Sequence, residues 1–146
     1  KARAQGVEAT VDWTFTSAWN AHLGYAYMDS HIVESELDPV SVGKQVAGIP
    51  GQQIEGSVAY TQNRWRISTR MRWFDDSWGD NAHTLPVPSH FVTDLSLAFK
   101  ITKPVELFLD IQNLFDNEYI ADNSGFSPPL LGTPRSAIGG VRISMN

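Results

Sequence analysis

Apolar and polar residues alternate with a period of two along most of this chain. Residues 64–74 read RWRISTRMRWF, which puts Trp65, Ile67, Thr69, Met71 and Trp73 on one face and Arg66, Ser68, Arg70 and Arg72 on the other. In FVTDLSLAFK (91–100), Phe91, Leu95, Leu97 and Phe99 oppose Asp94, Ser96 and Lys100. In PVELFLDIQ (104–112), Val105, Leu107, Leu109 and Ile111 oppose Glu106, Asp110 and Gln112. The same alternation runs through 6–16, 19–28, 52–62 and 136–145. It sets Val7, Val11, Trp13 and Phe15 against Glu8 and Asp12, and Trp19, Leu23, Tyr25 and Tyr27 against Asn20 and His22. It likewise sets Ile54, Val58 and Tyr60 against Gln53, Glu55 and Ser57, and Val141, Ile143 and Met145 against Arg142 and Ser144. Successive side chains of a strand point to opposite faces, so this period predicts seven strands and an all-β fold.

The connections are as informative as the strands. Tight links at Thr16-Ser17-Ala18, at Gln62-Asn63 and at Ile101-Thr102-Lys103 alternate with long ones at roughly 35–51, 75–88 and 116–134. Strict alternation sends every tight turn to one end of an antiparallel sheet and every long loop to the other. Outer-membrane barrels have that asymmetry, and strands of about ten tilted residues cross the apolar band of a bilayer. Trp13, Trp19, Tyr60, Trp65, Trp73, Phe91 and Phe99 sit near strand ends on the apolar face, as an aromatic girdle does. The opposite face carries both signs of charge, which suits a wet or plugged lumen. A soluble β-sandwich with one solvated face is the alternative that the alternation leaves open.

Composition narrows the classes. With 42% hydrophobic and 11% aromatic residues the 146-residue chain is a folded one. A formal charge of -5 disfavours a nucleic-acid partner, and zero cysteines exclude disulfides, thiolate metal sites and a cysteine nucleophile. No run approaches the ~18 apolar residues of a membrane helix. Seven open strands leave two unpaired edges, and complete bacterial barrels have even strand numbers. Residues 1–146 are therefore expected to be the C-terminal part of a larger barrel, its earlier strands encoded upstream.

The segment NLFDNEY (113–119) now has a context. It resembles the NLFD-x-x-Y segment that follows the penultimate strand in TonB-dependent outer-membrane receptors. QGVEATVDW (5–13), HLGYAYMDS (22–30), GKQVAGIPGQQIEGSVAY (43–60) and FVTDLSLAFKI (91–101) resemble further strand motifs of that family, in the same order. Chemically, Asn113 and Asp116 are turn formers, Leu114 and Phe115 an apolar pair at the strand's end, and Tyr119 a ring with a polar tip suited to a water boundary. One departure stands out: members of the family commonly end in an aromatic residue, whereas this chain ends Arg142-Ile143-Ser144-Met145-Asn146.

Catalytic chemistry is sparse. There is no phosphate-binding glycine loop and no HExxH, so no enzyme, cofactor or metal is expected. The four histidines His22, His31, His83 and His90 are scattered, and Asp80 three residues before His83 is the one metal-like spacing. Arg66, Arg70 and Arg72 form a basic stripe that can pair across strands with acids such as Glu55 and Asp94, or meet a plug or an anionic ligand. In the loop DDSWGDNAH (75–83), Trp78, Asp80 and His83 are candidates for ligand contact.

What the resemblance implies is larger than the chain. It implies the last seven strands of a barrel of about 22 strands, located in the bacterial outer membrane and bathed in its lipid. The receptor's plug would be energised by the TonB–ExbB–ExbD system. The modal substrate is a ferric siderophore; cobalamin, haem or carbohydrate are alternatives within the family, and a passive porin-like barrel is one outside it.

Overall fold

The computed structural model describes residues 1–125 and 128–144; Met145 and Asn146, which carry the family departure and the end of the last expected strand, lie outside them. Eleven strands occur in chain order: β1 (Ala2–Thr14), β2 (Trp19–Ile32), β3 (Gln52–Gln62), β4 (Trp65–Phe74), β5 (Ser77–Trp78), β6 (Pro86–Val87), β7 (His90–Lys100), β8 (Val105–Gln112), β9 (Ile120–Asp122), β10 (Leu130–Leu131) and β11 (Ser136–Ile143). The seven long ones form a single antiparallel meander in the order β1-β2-β3-β4-β7-β8-β11. The four short ones are two small ladders, β5 with β6 and β9 with β10, inside the second and third long loops.

The register carries each face across all seven strands. Val11 pairs with Leu23, Leu23 with Gly56, Gly56 with Met71, Met71 with Thr93; farther on, Leu97 pairs with Leu109 and Leu109 with Gly139. A slip of one residue would move every apolar side chain to the charged face, so the alternation itself fixes this register. Aromatic pairs cross the strands where the pattern puts rings opposite each other: Trp19 with Tyr60 at 4.7 Å and Trp65 with Phe99 at 4.6 Å. Both lie at the tight-turn end.

The sheet is one layer thick. Val7, Val11, Trp13, Leu23, Trp65, Leu107, Val141 and Ile143 are all exposed. A sandwich covers one face of each sheet with the other; here, among the described residues, no second sheet covers the apolar face, so the soluble-sandwich alternative does not describe this fold.

Strand limits differ from the expected ones at the first hairpin. β1 begins at Ala2 and β2 runs to Ile32, because pairing continues from Thr14↔Asn20 through Ala2↔Ile32. The alternation weakens there at Ala2-Arg3-Ala4-Gln5, and backbone pairing to β2 supplies what the side-chain pattern lacks. The three tight links are residues 15–18, 63–64 and 101–104, and the long loops are 33–51, 75–89 and 113–135. Asn63 makes the shortest link by adopting φ 55°, a left-handed conformation that asparagine tolerates better than most residues. No helix among the described residues is long and apolar enough to cross a membrane.

Candidate functional site

The polar face is a ladder of ion pairs. Arg70 reaches Glu55 at 3.0 Å and Arg72 reaches Asp94 at 2.7 Å. Both are diagonals, since the register sets Arg72 opposite Glu55 and Arg70 opposite Asp94. Arg66 does something the strand pattern does not show. It spans the whole width of β7 over Ala98, its direct partner, to give both oxygens of Glu106 a hydrogen bond at 2.9 Å. Arg142 on β11 donates to Glu106 from the other side at 2.6 Å and lies over the Phe108 ring at 5.2 Å. Glu106 is buried between two guanidiniums, where three charge-assisted bonds offset its desolvation. The small side chain of Ala98 is what leaves the path open.

The NLFDNEY segment is a knot. Asn113 is 1% exposed and takes φ 49°. Its Nδ2 donates to the carbonyls of Asn117 at 2.9 Å and Thr133 at 3.0 Å, and its Oδ1 accepts from the Asn117 N–H at 3.0 Å. Its own N–H donates to Asp94 Oδ1 at 3.0 Å, while the next N–H, Leu114, donates to the Thr93 carbonyl. Asp116, also left-handed at φ 56°, accepts from the Arg135 N–H at 2.8 Å. Asn117 Nδ2 donates to the Phe91 carbonyl at 2.9 Å. The segment thus fastens the end of β8 to the start of β7 and to the residues just before β11. Phe115 is exposed on this turn and Leu114 half-buried.

Tyr119 closes a stack of three rings, Phe74–His90 at 5.1 Å and His90–Tyr119 at 4.6 Å. Gly132 lies against the Tyr119 ring so closely that a Cβ there would fall 2.0 Å from it. Only glycine fits.

The loop candidates part company. Trp78 stacks on His83 at 4.6 Å, nearly parallel, and His83 Nε2 is 2.9 Å from the Gln45 carbonyl. Asp80 is used up inside its own loop, accepting from the N–H groups of Thr84 and Leu85 at 2.8 Å and from Thr84 Oγ1 at 2.9 Å. Desolvation opposes its charge, yet the bonds from Leu85 and Thr84 outweigh that and hold the Asp80 carboxyl below its ordinary pKa. Asp80 and His83 therefore order the loop, and among the described residues no group of three metal-ligating side chains forms.

The long loops are sewn to one another. Gly48 N–H donates to the Trp78 carbonyl at 2.7 Å, Lys44 Nζ to the Ala82 carbonyl at 2.7 Å, and Asn123 Nδ2 to the Pro86 carbonyl at 3.0 Å. Gly79 touches the Asn123 carbonyl where any Cβ would collide at 1.8 Å. Beneath them, on the polar face, lies a cavity of about 450 Å³. Trp78 lines it together with Arg72, Phe74, Asp75, His90, Tyr119 and Asp122; Asp80 and His83 do not. Arg72 Nε is buried and makes no hydrogen bond among the described residues. Phe74, Asp75, His90 and Asp122 escape a sequence reading because each is ordinary alone; they converge only once β4 and β7 pair and the third loop folds back.

A seven-strand wall with one apolar face, one ion-paired face and long loops at one end has close counterparts. The family model described as "TonB dependent receptor-like, beta-barrel" matches residues 1–114. The chain belongs to the TonB-dependent receptor β-barrel family. Among curated proteins it is 26% identical over 129 residues to the probable TonB-dependent siderophore receptor PiuA of Acinetobacter baumannii, covering 82% of this chain and 17% of that protein. It is 24% identical over 121 residues to the vitamin B12 transporter BtuB of Photobacterium profundum, covering 83% of this chain and 19% of that one. The chain thus spans less than a fifth of the length of these relatives. Among solved structures, the Acinetobacter baumannii siderophore receptor PiuA superposes with a TM-score of 0.88 at 24% identity, over 97% of this chain and 22% of that one. The ferric yersiniabactin uptake receptor FyuA of Yersinia pestis follows with 0.85 at 22% identity, over 97% and 23%. In this family member, then, the apolar and charged faces are those of a receptor-barrel wall. The proteins it resembles are named as receptors and transporters, not as enzymes.

Proposed function

We propose that this chain is the C-terminal part of the barrel wall of a TonB-dependent transporter, and that the whole receptor takes up a ferric siderophore. The observation that carries the substrate is the 26% identity to a probable siderophore receptor. The barrel around it has about 22 strands, sits in the outer membrane with Val7, Leu97 and Leu107 against lipid, and encloses a plug encoded upstream. TonB, with ExbB and ExbD, supplies the energy through that plug. The paired arginines Arg66, Arg70 and Arg72 line the lumen, where their counter-charges hold the wall together. Trp78 contributes to the ligand mouth.

Cobalamin is the second reading, favoured by the match to a vitamin B12 transporter. The test is uptake by cells carrying or lacking the full-length receptor gene, with radioactive iron supplied on a panel of siderophores and labelled cyanocobalamin alongside. Receptor-dependent and TonB-dependent iron uptake is the expected result. Cobalamin uptake alone would replace the substrate; uptake independent of TonB would replace the transporter class with a passive pore.

A further inference from the structure

The charges of this chain are not spread evenly between the two ends of the sheet. Its seven long strands, with Lys1, hold seven acids and seven basic residues. The tight links add Arg64 and Lys103. The three long loops hold nine acids, Glu34, Glu36 and Asp38, then Asp75, Asp76 and Asp80, then Asp116, Glu118 and Asp122, against Lys44 and Arg135 alone. The loop end thus carries a balance of -7, more than the whole net charge of -5. Loops of that sign raise the local concentration of cations beside them and repel anions.

The cavity under the loops has the matching chemistry. Its walls include the rings of Phe74, Trp78 and Tyr119 and the carboxylates of Asp75 and Asp122. The single guanidinium there, Arg72, is already neutralised by Asp94 at 2.7 Å. Aromatic faces and carboxylates together favour an organic cation, through the ring quadrupole and through direct charge. An anionic chelate would meet two carboxylates with no unpaired guanidinium or ammonium in the lining to answer it.

The geometry points to this cavity as the seat of a positively charged organic group, an alkylammonium borne by the transported chelate. The inference rests on the uptake reading above and deepens it: the substrate is a cationic chelate, not a polyanionic one. Asp75 and Asp122 take the ammonium, and Phe74 and Trp78 face its methylene groups.

The test uses the intact receptor, purified in detergent and titrated calorimetrically. The probes are a ferric trihydroxamate with a free terminal amine and the same chelate N-acetylated, which keeps the iron coordination and removes one charge. The amine form should bind about tenfold more tightly, and the preference should shrink to about twofold or less in the Asp75→Asn/Asp122→Asn variant, if its folding, checked by heat-modifiable migration, is unchanged. Equal affinities, or a preference that survives in the variant, overturn the inference. If neither chelate binds, the hydroxamate class is excluded and benzyltrimethylammonium decides. Saturable binding lost in the double variant then upholds the cationic seat, and no binding overturns it.

Discussion

Asp94 holds Asn113 and Arg72 at once: one carboxylate oxygen accepts the Asn113 N–H at 3.0 Å and the other accepts Arg72 at 2.7 Å. Through that residue the ion pairs of the polar face and the NLFDNEY knot become one hydrogen-bonded unit. It joins β4, β7 and the end of β8 at the loop end of the wall, beside the aromatic cavity.

Asn113→Ala should therefore cost about 2–4 kcal/mol, since it orphans the Asn117 N–H and the carbonyls of Asn117 and Thr133 and places a Cβ residue at φ 49°. Asn113→Gly should recover part of that loss by relieving the backbone. Equilibrium unfolding of the full-length receptor in lipid vesicles measures both, and an alanine variant as stable as the parent would show that the knot is dispensable.

Glu106 and its two arginines make a second prediction. Glu106→Ala leaves Arg66 and Arg142 facing each other without a counter-charge. Because both arginine side chains are about half exposed, at 50% and 57%, water screens part of the repulsion. A loss of about 1–3 kcal/mol is expected. Arg66→Ala and Arg142→Ala should each cost less, since Glu106 keeps one partner. A double-mutant cycle in the same unfolding assay checks the order.

Much of this could be read in the sequence, for a plain reason. Period two assigns each residue to a face, so the apolar and charged faces of all seven long strands were legible, and so were the tight turns at Asn63 and Thr102. Period two does not name partners. Arg66 crosses over Ala98 to Glu106 on the second strand along, and no alternation rule predicts a reach of two strands. The short ladders β5–β6 and β9–β10 were illegible because two or three residues carry no period. Asn113 read as a turn former; that it is the most buried polar residue of its segment depends on Asp94 and Thr133, which only the folded chain brings to it.

Acid should loosen the second loop. The Asp80 carboxyl titrates below its ordinary 3.8, so its bonds to Thr84 and Leu85 stabilise the folded loop at neutral pH. That contribution disappears as pH falls through the depressed value. A spin label on Ala82→Cys, in a chain segment with no cysteine of its own, should gain mobility below that pH. Asp80→Ala should show the same mobility at pH 7. A label equally immobile in both would refute the role of Asp80.

Each outer strand of the sheet, β1 and β11, pairs on one side only in this structure. The isolated 146-residue chain, refolded into micelles, should accordingly form β-rich oligomers through those open edges and show no heat-modifiable monomer. A sharp monomer on a gel would mean the edges close on themselves.

The central claim is that this sheet is a lipid-facing wall with its loops outside the cell, and single-cysteine labelling of the full-length receptor in intact cells tests it most directly. A membrane-impermeant reagent should label Asp80→Cys and not Asn63→Cys. In the same cells, a lipid-soluble reagent should label Leu95→Cys and Leu97→Cys and spare Asp94→Cys and Ser96→Cys. As an energetic counterpart, Leu97→Arg should cost about 2–4 kcal/mol where Ser96→Arg costs far less. Labelling of position 63 from outside, or equal labelling of neighbouring positions along β7 by the lipid-soluble reagent, would contradict the account.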